Sequence, residues 1–277
     1  MVLGIVSNSW RVQLDERESI DHLIAEALRR CYLSIELRQG CMGRYERGSD
    51  HMPDAEALAE LPRRFPEATF NIAIAFPYGS ALTTLDEKLF LKLFLTGVDA
   101  AEAVAGPSVA YLRLVDVTTT AEQISSPAVA DISARLASLA DRLVCRGGVL
   151  AIENARQPWQ WTLDVLHTAQ RKLGSNSRHL RLCYDPCNLL MAPDVTDCGN
   201  ATRSLAADEL ASVHAKQQHA GRVLTTVADG DVDWAEQMRS LATMDYQGPI
   251  LFEVAPDRAI WENLEASRLY LAMKQAR

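Results

Sequence analysis

Four short apolar runs in the second half of the chain each end on a residue that can bind a metal ion. They run from Val149 to Glu153, Leu180 to Asp185, Leu210 to His214 and Ile250 to Glu253. Three carboxylates and one imidazole form a mostly oxygen donor set. Such a set suits one hard divalent cation, Mn²⁺, Mg²⁺ or Co²⁺, with Zn²⁺ less favoured. A lone strand-end carboxylate more often meets solvent or caps a helix. Four successive runs ending in ligand types point to a shared site.

Side chains alternate faces along a strand, so counting back by twos finds the neighbours of each ligand. Glu153 shares its face with Ala151 and Val149, and Asp185 shares its face with Cys183 and Arg181. The bulky Leu150, Ile152, Leu182, Tyr184 and Phe252 fall on the opposite face. A barrel strand needs this division when its outside packs on helices and its inside ends in a site.

The elements that carry these runs follow a regular order. Strands are expected at 2–7, 32–38, 69–76 and 109–115, then at the four runs, the last two extending to 215 and 254. Between and after them, helical spacing of apolar residues predicts helices at 16–30, from Pro53 to about 65, 84–105, from a Ser126-Pro127 start to 146, 158–174, 201–207, 234–244 and 259–274. Strict strand–helix alternation means a parallel sheet, and eight such units fit a closed barrel. The expected fold is therefore α/β, a single (β/α)8 TIM barrel forming one domain over residues 1–277.

Composition narrows the functions. Lys plus Arg is 28 against 36 Asp plus Glu, a net charge of −8, which argues against a nucleic-acid partner. No apolar run approaches the roughly 20 residues that span a membrane, and no charged leader precedes the first strand, so no membrane partner and a cytoplasmic location are expected. The six cysteines show no CxxC spacing and read as reduced, mostly buried thiols.

The motifs Ile152-Glu153-Asn154, Tyr184-Asp185-Pro186-Cys187-Asn188, Val213-His214-Ala215-Lys216, Gly230-Asp231-Val232-Asp233-Trp234 and Leu251-Phe252-Glu253 resemble the xylose isomerase-like barrel superfamily. Within it they are most similar to the sugar (phosphate) isomerase/epimerase branch that includes ketose 3-epimerases. The resemblance implies that Glu153, Asp185, His214 and Glu253 hold one divalent cation and that Glu153 and Glu253 are the acid/base pair. It implies a carbohydrate substrate, proton abstraction next to a carbonyl through a metal-stabilised enediolate, and a homo-oligomer. The chemistry is coherent, because a bound cation stabilises the forming enediolate while one carboxylate removes a proton and the other returns it on the opposite face.

Two positions depart from those epimerases. Asn188 stands where they carry histidine, three residues after the aspartate; an amide can hydrogen-bond a sugar hydroxyl but cannot shuttle a proton. Their arginine after the histidine ligand has no match in register, which leaves Lys216 and Arg222 as candidates. Glu36 and Arg113 sit on inner strand faces as further substrate-binding candidates, with an internal ion pair as the alternative. Trp10, Phe76 and Tyr78 lie near strand ends, as a sugar wall or as core. No Gly-rich phosphate cradle follows the seventh strand, which favours an unphosphorylated substrate. A lyase or dehydratase of a keto-sugar or keto-inositol would use the same residues. An apurinic endonuclease would need more strand-end histidines than His214 alone, and a non-catalytic barrel would more often have lost a ligand.

Overall fold

The computed structural model describes residues 2–79, 87–117 and 126–275. Eight parallel strands form a closed barrel. They are β1 (Val2–Val6), β2 (Ser34–Arg38), β3 (Thr69–Ala75), β4 (Tyr111–Val115), β5 (Val149–Glu153), β6 (Leu180–Tyr184), β7 (Leu210–Ala215) and β8 (Pro249–Phe252). Each pairs with its sequence neighbours, and β1 closes the ring on β8 with Val2 opposite Pro249 and Ile5 opposite Phe252. Between β6 and β7 the register shifts, Leu182 facing Leu210 but Cys183 facing Ser212. That shift keeps Ser212 and His214 in phase with Cys183 on the inside.

The period-two pattern decides what lies where. Ile35, Leu37, Ile72, Ile74, Leu112, Leu114, Leu150, Ile152, Leu182, Val213 and Phe252 are buried in the apolar layer between sheet and helices. That layer is covered by α1 (Ile20–Arg29), α2 (Glu87–Ala105), α3 (Ser126–Val144), α4 (Trp159–Leu173), α5 (Trp234–Thr243) and α6 (Ile260–Gln275). Gly97 lets α2 lie close to β3 and β4, for a Cβ there would come within 2.9 Å of Ile74 Cδ1. Inside the barrel Gly4 is required more strictly, because its Cβ would lie 2.0 Å from the Ser34 carbonyl oxygen.

Several element boundaries differ from the sequence expectation. The helix expected at 16–30 begins only at Ile20, and a separate short helix, Arg11–Asp15, precedes it; between them Arg17 takes a left-handed φ of 68°. The Ser19 side chain accepts a hydrogen bond from the Asp21 N–H and starts α1. Pro53 does not open a helix; it pairs in a two-residue ribbon with Glu46. Asp54 then caps Ala55–Leu58, and Leu61–Arg64 follows. The short helix expected at 201–207 lies at Cys198–Arg203, capped by Asp197. The predicted start of α2 at Thr84 lies outside the described residues. All six cysteines are free as expected, but Cys31 and Cys145 are exposed and Cys198 half-buried, so only half are buried. No helix among the described residues is long and apolar enough to cross a membrane.

Candidate metal centre

The four strand-end residues converge. Ligand atoms of Glu153, Asp185, His214 and Glu253 lie within 4.8 Å of one another, and all four residues are buried. Each is held by a different local device. Asp185 is the N-cap of the short helix Pro186–Leu189, where its Oδ1 accepts from the N–H groups of Cys187 at 2.8 Å and Asn188 at 3.0 Å. Its backbone is clamped by Asn154, whose amide donates to the Asp185 carbonyl and accepts the Asp185 N–H, both at 2.8 Å. Oδ1 is thereby committed, and Oδ2 points into the cluster.

His214 is fixed from below. Its Nε2 lies 3.4 Å from Glu36 Oε1 and 3.3 Å from Cys183 Sγ, so this edge of the ring faces a carboxylate and a thiol. Nδ1 faces the ligand carboxylates, 3.4 Å from Glu253 Oε2 and 3.7 Å from Glu153 Oε1. A histidine whose far nitrogen is held by a carboxylate is the usual arrangement for a metal ligand.

The fit to a cation can be tested on unmet polar atoms. Among the described residues, neither Asp185 Oδ2 nor His214 Nδ1 has a well-formed hydrogen bond, although both are buried. The Lys216 ammonium lies 2.7 Å from Asp185 Oδ2 as an ion pair, outside hydrogen-bonding angles. Buried polar atoms without partners are uncommon in folded proteins. Two such atoms within one cluster of three carboxylates and an imidazole match the donor set of a single divalent cation.

The two glutamates sit in unequal fields. Burial pushes the Glu153 carboxyl above the usual carboxylate range, against the pull of Arg113 and His214. Burial acts on Glu253 too, but Lys216, His214 and Arg113 outweigh it and hold that group well below the range. Glu253 accepts from Asn8 Nδ2 at 2.7 Å and Lys216 Nζ at 2.8 Å. Glu153 accepts from Asn188 Nδ2 at 3.0 Å and from the Arg113 guanidinium. Burial also works against the His214 imidazolium, yet Cys183 and Glu36 raise its pKa well above the ordinary histidine value. A cation at Nδ1 competes with that proton.

The other expected site residues fall into three groups. Asn188 and Lys216 reach the cluster, the amide also accepting from Lys216 Nζ at 3.4 Å. Glu36 and Arg113 do not reach a substrate space. Both are fully buried and form an internal pair, Arg113 donating through Nε at 2.9 Å and Nη2 at 2.6 Å to Glu36 Oε1. Their expected role in substrate binding gives way to the alternative of a buried ion pair. Arg222 is carried away on a two-residue ribbon with Gln218 and His219, whose turn at Ala220 and Gly221 has φ of 49° and 76°. It is exposed and lines no part of the centre.

Trp10, Phe76 and Tyr78 are core rather than wall. Each is at most 1% exposed, and they pack on Trp261, Phe90 and Trp161 respectively. Sequence reasoning missed Asn8, which lies just past β1 in the turn Ser7–Trp10. It also missed the clamp made by Asn154, although that residue stood inside a quoted motif.

A cavity of about 160 Å³ opens onto the centre. Its polar wall is Arg38, Glu153, Arg156, Asn188, Lys216 and Glu253.

A family model described as xylose isomerase-like TIM barrel matches residues 32–270. The chain belongs to this family. No curated protein sequence matches it significantly. Among solved structures, one titled IOLI protein with a binding zinc atom aligns over 100% of this chain and 98% of its own, with a TM-score of 0.73 and 13% identity. A D-allulose 3-epimerase from Methylomonas sp. in complex with D-allulose covers 100% and 97%, with a TM-score of 0.70 and 18% identity. A probable 3-DHS dehydratase from Bacillus anthracis covers 99% and 98%, with a TM-score of 0.71 and 14% identity. At such identities these likenesses speak for the fold. The family's barrel is thus shown by two independent comparisons, and the ligand cluster by the geometry of this chain itself.

Proposed function

We propose that this chain is a divalent-metal-dependent isomerase or epimerase of a sugar or sugar derivative. The observation that carries the reading is the buried Glu153–Asp185–His214–Glu253 cluster with two unmet donor atoms facing inward. Similarity in fold to a D-allulose 3-epimerase supports the substrate class. A divalent cation held by these four residues would polarise a carbonyl and the hydroxyl beside it, which acidifies the carbon between them.

The chain's own groups then divide the work. Glu253, kept ionised by Lys216 and oriented by Asn8, is placed to take a proton from that carbon. Glu153, held by Asn188 and Arg113, is placed to return one from the other side. In the reverse direction the roles exchange. Asn188 and Lys216 present an amide and an ammonium to substrate hydroxyls, and neither needs to transfer a proton. Mn²⁺ and Co²⁺ suit the oxygen-rich set; zinc, seen in one similar structure, is the softer alternative.

Calorimetric titration of metal-stripped protein with Mn²⁺ tests the centre. One site per chain, weakened in His214→Ala and Glu253→Gln, supports it; no binding, or equal binding by all three proteins, refutes it. Ketoses incubated in D₂O with the Mn²⁺ form then test the chemistry. Deuterium next to the carbonyl with all product atoms retained fits an isomerase or epimerase. Loss of water from the product would make the protein a dehydratase instead.

A further inference from the structure

The wall of the cavity carries more positive charge than the metal centre consumes. The ligand carboxylates Glu153, Asp185 and Glu253 together balance a divalent cation and the Lys216 ammonium, which lies against two of them. Glu36 and Arg113 balance each other one layer below. Two further cations line the same cavity, Arg38 and Arg156. Among the described residues, neither guanidinium is hydrogen-bonded to or ion-paired with a carboxylate. In a protein with a net charge of −8, these two arginines place unmatched positive charge beside the reactive groups.

Their positions are set by the fold. Arg38 is the last residue of β2, two residues after Glu36 and therefore on the same inward face, at the mouth rather than in the interior. It is half-buried, whereas Glu36 is fully buried. Arg156 stands three residues beyond Glu153 in the segment after β5 and is exposed. Two strands, β3 and β4, separate their parent strands around the ring. Val117 and Met191 supply apolar wall between polar groups.

A planar guanidinium with free donors matches an oxyanion in two parallel hydrogen bonds. A neutral sugar would leave the donors of both guanidinium groups to water, whereas an anionic group would engage them at the cavity wall. We infer that the substrate carries an anionic group, a carboxylate or a phosphate ester, held by Arg38 and Arg156 while its keto end reaches the metal centre. This inference rests on the proposed ketose chemistry and narrows its substrate class. It runs against the absence of a phosphate cradle only for the ester, because a carboxylate needs no such cradle.

The test uses three ketoses that differ at one carbon, with the Mn²⁺-loaded protein: D-fructose, D-fructuronate and D-fructose 6-phosphate. Binding is read by calorimetry and proton exchange by deuterium uptake from D₂O. At least one anion should bind roughly ten- to hundredfold more tightly than fructose. That preference should shrink as salt is raised, and it should be lost in Arg38→Met and Arg156→Met. Which anion binds better identifies the group. Equal binding of fructose and both anions, or a preference untouched by both substitutions, overturns the inference while leaving the isomerase reading intact. Tight anion binding without deuterium exchange leaves the anion site standing and removes the isomerase reading. If none of the three binds, both fall.

Discussion

Replacing Arg113 with methionine should destabilise the protein severely, although Arg113 touches no solvent and no substrate space. Its side chain is fully buried between two carboxylates, Glu36 and Glu153, that are themselves at most 4% exposed. Burial alone would push the Glu36 carboxyl up; Arg113 and His214 reverse that and lower it to about 2. Removing one partner of a buried ion pair typically costs about 3–5 kcal/mol, because the remaining charge is stranded. Two stranded carboxylates place Arg113→Met at the upper end. In a chain of this size that corresponds to a melting temperature lower by roughly 10–20 °C.

The sign with pH is determined. A carboxyl lowered from 4.5 to about 2 contributes stability that is complete above the higher value and is lost as pH falls through the lower one. The penalty of Arg113→Met should therefore be largest near neutrality and shrink in acid, where the stranded carboxylates take up protons. Circular dichroism melts of wild type and variant at pH 7 and pH 4.5 measure both effects. The double variant Glu36→Gln/Arg113→Met should recover part of the loss, having one stranded charge fewer. A loss below about 1 kcal/mol, typical of an exposed pair, and independent of pH would refute the reasoning.

Other consequences are open to measurement. Asn154→Ala should weaken Mn²⁺ binding roughly 10- to 100-fold with little change in fold, as expected for a group that orients a ligand; unchanged affinity would mean that Asp185 needs no clamp. Mn²⁺ affinity should rise with pH, by up to about tenfold per unit while His214 is protonated, because binding at Nδ1 displaces the proton. Heats of binding should then depend on the ionisation enthalpy of the buffer, and buffer-independent heats would contradict this. Gly4→Ala should cost about 3 kcal/mol or more in a urea titration, because its Cβ would meet the Ser34 carbonyl oxygen. A neutral result there would show that β1 and β2 can part without penalty.

The ligands were legible in the sequence because two local rules locate them: side chains alternate along a strand, and barrel sites lie at the C-terminal ends of strands. Neither rule gives depth. Glu36 and Arg38 share a face, yet one is sealed within the barrel and the other stands at its mouth. The partner that Glu36 takes, Arg113, comes from β4, two strands away in the ring. That choice depends on how neighbouring strands are staggered, which no single strand's sequence records. Arg222 was misplaced because Ala220 adopts a positive φ, a conformation expected of glycine or asparagine rather than alanine. The break before α1 was hidden for the same reason, at Arg17. Asn8 lies outside any strand or helix pattern and is recognisable only once β8 lies beside β1.

That last adjacency also has a consequence for how the protein is made. Synthesis releases the N-terminal half first, yet all four metal ligands lie in the half that follows, and β1 has one of its two neighbours only when β8 has emerged. Until then the growing sheet presents two unpaired edges, the surfaces most prone to pair with other chains. The residue that begins the closing seam, Pro249, has no N–H to donate, and Glu253 lies immediately beyond the strand. Closure of the ring and completion of the ligand set thus depend on the same late segment of the chain. A metal ion available at that moment would favour the closed ring over its open-edged precursors.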